Sequence, residues 1–185
     1  MSKSYRERLN DSIDVINTQL EISFGIYSAI DAEELNHVPD PRSWSIIQIL
    51  NHLYISEQLT IRYLEYKKQS GAFIPDFNLK NRINTFILYI AFISPFKYKA
   101  PESNGLNTPS NIGDIESLFE IFMTQRMKLK NFIDQIPEEA VKKAWFKHPY
   151  AGRMDLIRML WFFRFHFKRH HKQILKLLAQ AKEQN

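Results

Sequence analysis

His166 and His170 stand one helical turn apart in the segment Met154–Leu178, MDLIRMLWFFRFHFKRHHKQILKLL. At about 100° per residue, Leu156, Met159, Leu160, Phe163, Phe167, Ile174, Leu177 and Leu178 share one apolar face of a helix. The two histidines fall to one side of that face, beside Phe162, Met159 and Leu177. Their spacing lets both rings converge on a single point. An imidazole turned into a helical core needs a partner, because burying it unpaired is costly. Two partners suit it: a divalent metal, which requires a further ligand from elsewhere in the chain, or a hydrogen bond. Among the other histidines, His171 lies about 100° round the helix from His170 and points away from the pair. His148, in the run HPYAG, either orders a loop or lines the mouth of a site. His37 sits in a proline-rich turn and carries no signal.

The elements that must position such a site read as helices. Ser45 is an N-cap with Gln48 three residues on, a capping box, and Trp44 and Ile49 stand where a hydrophobic staple places them. The helix that follows has a core stripe of Ile46, Ile49, Leu50, Leu53 and Leu64. His52 falls at the edge of the stripe, near Ile49, Ser56 and Tyr63, and Glu57 falls near its centre. A carboxylate there must be paired or protonated. It either pairs with an arginine in a structural role or accepts a hydrogen bond from a metal-bound histidine.

The rest of the chain supplies further helices. Ser4–Ile30 carries the stripe Leu9, Ile13, Ile16, Leu20, Phe24 and Tyr27, and the break Asn36–Arg42 follows. A helix over Asn78–Ser94 is stopped by Pro95, and its run FILYIAFI is apolar nearly all round, as suits a central or interface position. The connection Pro95–Gly113 is rich in Pro, Gly, Asn and Ser. Asp114–Ile136 is helical, Pro137–Arg153 is a second loop, and Asp155 caps the last helix. The chain is therefore expected to be all-α, four main helices with one closely attached, in a single domain over residues 1–185.

Composition narrows the function. With no cysteine, disulfides, thiolate metal sites and a cysteine nucleophile are excluded. The N-terminus MSKSYRERLNDSI has no apolar signal region, and the longest apolar run, Phe86–Ile93, has 8 residues, where a bilayer span takes about 20. A soluble, cytoplasmic protein without a membrane partner is expected. The net charge is +5 with a pI near 9.3, but the charges are dispersed. Arg164, Lys168, Lys172 and Lys176 line the last helix opposite its core face, as a solvated face does. No zinc-finger, RNP-type or arginine-rich motif supports a nucleic-acid partner. Internal repeats, a glycine-rich phosphate loop and a nucleophile elbow are also missing.

Three segments together carry a resemblance: SWSIIQILNHLYISEQ (43–58), FKHPYAG (146–152) and HFKRHHKQI (166–174). In order and spacing they resemble the DinB-like superfamily, the DinB/YfiT-like metalloenzymes. The likeness covers nearly the whole chain, including FKYKAP before the long connection. It implies a four-helix up-down-down-up bundle with one additional short helix or long loops. It also implies a divalent metal, zinc or nickel, held by His52, His166 and His170. Three neutral imidazoles leave such a metal an open position, which can activate water for hydrolysis or a thiol for attack on an electrophile. The resemblance favours the thiol, since relatives include S-transferases using low-molecular-weight thiols such as bacillithiol, and a mycothiol-dependent maleylpyruvate isomerase. The substrate is then a small molecule, and Asn78–Ser94 either supports a homodimer or is buried in a monomer. The alternative is a non-catalytic bundle whose aromatic side chains Trp161, Phe162, Phe163 and Phe165 bind a small apolar ligand or a partner protein.

Overall fold

A computed structural model describes residues 3–41, 43–94, 109–110 and 113–184. The first helix, α1 (Tyr5–Tyr27), starts from a reciprocal cap. The Ser4 hydroxyl accepts the Glu7 amide, and the Glu7 carboxylate accepts the Ser4 amide. Its buried side chains include the whole stripe expected from the spacing, Leu9 to Tyr27. The helix does not run on to Ile30. It stops at Tyr27, and Asp31 caps a separate short helix, α2 (Ala32–Asn36), by accepting the amide of Glu34 at 2.8 Å. A carboxylate four residues past the last buried ring favours restarting the helix over continuing it.

Both halves of the expected capping box at Ser45 and Gln48 form, and they launch α3 (Ile46–Gln69). Asn78 caps α4 (Leu79–Ile93), and Asp114 caps α5 (Ile115–Asp134). The segment expected to be a loop over Pro137–Arg153 contains a hairpin of β1 (Phe146–His148) and β2 (Gly152–Met154), with Phe146 opposite Met154 and His148 opposite Gly152. Strands of 3 residues are too short to display alternation in sequence. Gly152, at φ +71°, takes the left-handed conformation that the tight turn requires. Asp155 then opens α6 (Leu156–Gln184). One of its oxygens accepts the Arg158 amide and the other the Arg158 guanidinium.

Helices α1 and α3 each pack on both α5 and α6, α2 packs on α3, and α4 packs on α6 and β2. Buried apolar side chains form two clusters. One holds Leu9, Ile13, Leu64, Leu129, Leu160 and Phe163; the other holds Leu20, Phe24, Leu50, Leu53, Phe122 and Phe167. Where α3 and α5 pass from one cluster to the other they carry Glu57 and Arg126. Of the two positions expected for α4, central or at an interface, the structure does not show the central one. Leu79, Ile83, Phe86, Ile87 and Ile90 are exposed along one of its faces. A helix apolar nearly all round gives no polar face from which to tell inside from outside. The connection Pro95–Gly113, with its FKYKAP segment, lies outside the described residues apart from 109, 110 and 113, as does Arg42 of the Asn36–Arg42 break. No described helix is long and apolar enough to cross a membrane.

Candidate metal centre

The packing of α3 on α6 brings together the three histidines singled out from the sequence. His52 is buried and projects from α3; His166 and His170 are half-buried and project from successive turns of α6. Their ring centroids form a nearly equilateral triangle, at 5.2 Å for His52–His166, 4.9 Å for His52–His170 and 4.8 Å for His166–His170. One ligand atom from each ring lies within 4.8 Å of the others. The Nε2 atoms of His52 and His166 are 3.2 Å apart. Two nitrogens held tetrahedrally at about 2.0–2.1 Å from a zinc ion would be separated by about 3.3 Å. The donor set therefore fits a divalent cation in type and number, and the His52–His166 spacing suits one.

The electrostatics agree with the geometry. Burial pushes the pKa of His166 well below the ordinary histidine value, and the neighbouring His170 and His52 push it further down. Burial and then His52 bring His170 to about 3, against an opposing hydrogen bond that its ring donates to Gln173. Both rings are neutral near pH 7, the state in which an imidazole can act as a ligand. Aromatic rings wall the cluster. Phe162 stacks on His166 with centroids 5.3 Å apart, Trp44 lies 5.0 Å from His52, and Phe92 lies 6.1 Å from His166.

The remaining candidates take other places. The Glu57 carboxylate meets the Arg126 guanidinium through two bonds, Nε to Oε2 at 2.7 Å and Nη2 to Oε1 at 2.6 Å. Both side chains are 2 % exposed. Burial raises the pKa of this carboxyl and Arg126 pulls it back. Of the two roles open to Glu57, the structure realises the arginine pair. His171 turns towards α1, where its Nδ1 meets the Tyr27 hydroxyl, and its ring stacks on Phe167. The Nδ1 of His148 accepts the amides of Tyr150 and Ala151, each at 3.2 Å, so this ring orders the hairpin turn and carries its hydrogen on Nε2. Burial lowers the His148 pKa to about 4. Its ring also meets Phe162 edge-on at 4.8 Å, one ring away from the cluster. His37 only ends α2.

Three neighbours of the cluster carry no site signal in the sequence. Trp44 stands there as a staple and in the segment 43–58 of the resemblance, and Phe92 as part of an apolar run. Gln173, whose Oε1 lies 3.0 Å from the His170 Nδ1, was not singled out. Its spacing from His170 puts both on one helix face, so this contact was legible. The packing of Trp44 and Phe92 depends on how α4 and the start of α3 approach α6, which spacing within one helix does not specify.

The family model described as the DinB superfamily matches residues 23–174, a span that includes all three histidines of the cluster. No curated protein matches the chain.

Proposed function

The chain belongs to the DinB superfamily, and from that premise we propose that it is a metal-dependent enzyme whose divalent cation, zinc or nickel, is held by His52, His166 and His170. The observation that carries this reading is the convergence of the three imidazoles from two helices, with ligand atoms within 4.8 Å of one another. Bound there, the cation supplies Lewis acidity at an open coordination position, lowering the pKa of a thiol or a water. The chain's own groups do the rest. His166 and His170 are held neutral, and Trp44, Phe92 and Phe162 present apolar surface to an incoming substrate.

Within this reading the reaction is S-transfer from a low-molecular-weight thiol to a small electrophile. The sulfur bonds to the electrophilic carbon, the leaving group departs with its electron pair, and the thiol proton passes to solvent. The aromatic walls favour an apolar electrophile, and the thiol comes from outside because the chain has no cysteine. The cytoplasm, where small thiols stay reduced, is the matching compartment. The accompanying architecture is an up-down-down-up four-helix bundle, supported by the packing of α1 and α3 on both α5 and α6.

The test combines the zinc- or nickel-loaded protein with a small thiol and an activated aryl halide, in wild type and His52→Ala. Metal-dependent conjugation lost in the variant supports S-transfer. Hydrolysis of an activated ester without conjugation would replace S-transfer by a hydrolase. Neither activity would remove the enzyme reading, leaving a bundle that binds an apolar ligand or a partner protein.

A further inference from the structure

We infer that Gln173 is a positioning residue for this centre: through its bond to His170 it decides which nitrogen of that ring is offered to a cation. The inference rests on the metal reading of the three histidines. The Nδ1 of His170 lies 3.0 Å from the Gln173 Oε1. An amide oxygen only accepts, so Nδ1 carries the hydrogen and Nε2 keeps its lone pair. His52 and His166 meet through the same atom, Nε2 against Nε2 at 3.2 Å. With Gln173 in place, His170 thus offers the nitrogen through which the other two rings meet.

The tautomer matters for every ring of the set, and at His170 the acceptor that fixes it is Gln173. A neutral imidazole without a partner at Nδ1 is free to carry its proton on Nε2, and that tautomer presents a hydrogen where a ligand needs a lone pair. Gln173 removes this choice, and by accepting from Nδ1–H it makes the ring a better donor to a metal. The arrangement comes from local spacing, since residues three apart on α6 share a face. Gln173 is itself exposed, so its side chain fills no core space. A change there acts on the bond to His170 and not on packing.

Zinc titration against a chromophoric chelator, on wild type, Gln173→Leu and Gln173→Glu, reads the effect as affinity. Nitrogen-15 NMR of the metal-free proteins reads the His170 tautomer directly. Gln173→Leu is expected to weaken zinc binding about 10–100-fold and to raise the population of His170 with its proton on Nε2. Gln173→Glu, which keeps the acceptor, is expected to restore the Nδ1–H tautomer and at least wild-type affinity. Gln173→Leu with unchanged affinity and unchanged tautomer would overturn the inference while leaving the metal reading intact. A wild-type protein that takes up no zinc or nickel would overturn the metal reading and this inference with it. A purely structural role for Gln173 would move neither the tautomer nor the rescue by glutamate.

Discussion

The buried imidazoles make the stability of the metal-free protein depend on pH with a definite sign. In the unfolded chain each takes a proton near pH 6.5. In the folded protein His148 does so near 4 and His170 near 3, and His166 is also lowered, in each case chiefly by burial. Between these values the unfolded state binds more protons, so stability falls as pH falls below about 6.5, by up to about 1.4 kcal/mol per pH unit for each such group. Above about pH 6.5 these groups contribute no slope. Urea unfolding of metal-free protein should therefore show a lower midpoint at pH 5 than at pH 8; an equal or higher midpoint at pH 5 would contradict the burial of these rings. The Glu57–Arg126 pair gives a second prediction at this scale. Arg126→Leu strands a buried carboxylate and should cost about 3–5 kcal/mol, whereas Glu57→Leu combined with Arg126→Leu should recover much of that loss. A double variant no more stable than Arg126→Leu would show that the pair contributes more than mutual charge compensation. Sequence alone narrowed Glu57 to two partners but could not choose, because the choice depends on a side chain 69 positions away on another helix.

At the scale of elements, the legible parts were those that local chemistry decides. Ser45 and Gln48 announce the start of α3, and both bonds of the box are present. The stripes of α1, α3 and α6 were readable because one face of each is apolar and the other is not. By the same logic, the side of α6 carrying His166 and His170 followed from spacing, and their meeting with His52 needed the packing of α3 on α6. The hairpin was not legible. Its two strands are each 3 residues long and owe their register to Gly152 and to the two amides collected by His148. The short helix α2 was not legible either, because its 5 residues carry too little apolar periodicity and only the Asp31 cap marks its start. These caps are testable. Ser45 is fully buried, and Ser45→Ala should destabilise the protein by about 1 kcal/mol, seen as a lower urea midpoint. A change of a few tenths or less would mean that the turn is held by packing of the Trp44 and Ile49 side chains and not by the box.

At the scale of the whole molecule, the exposed stripe of α4 is the feature that the helix packing leaves unexplained. Leu79, Ile83, Phe86, Ile87 and Ile90 recur at helical spacing on its outer face, and exposed apolar patches of this kind mark association surfaces. A homodimer through α4 is the reading we propose, and light scattering should give twice the chain mass for wild type and the single mass for Phe86→Lys with Ile90→Lys. A monomeric wild type would remove it. A single cooperative domain over residues 1–185 is likewise proposed, with far-ultraviolet and tryptophan signals expected to unfold at one midpoint. The central claim, however, concerns the three histidines, and it is tested most directly by elemental analysis of protein purified without a histidine tag, on wild type and His166→Ala. The account predicts about one zinc or nickel per chain in the wild type, lost in a variant that remains folded. A wild type that takes up neither metal after incubation with each would contradict it, and the cluster would then be three packed imidazoles.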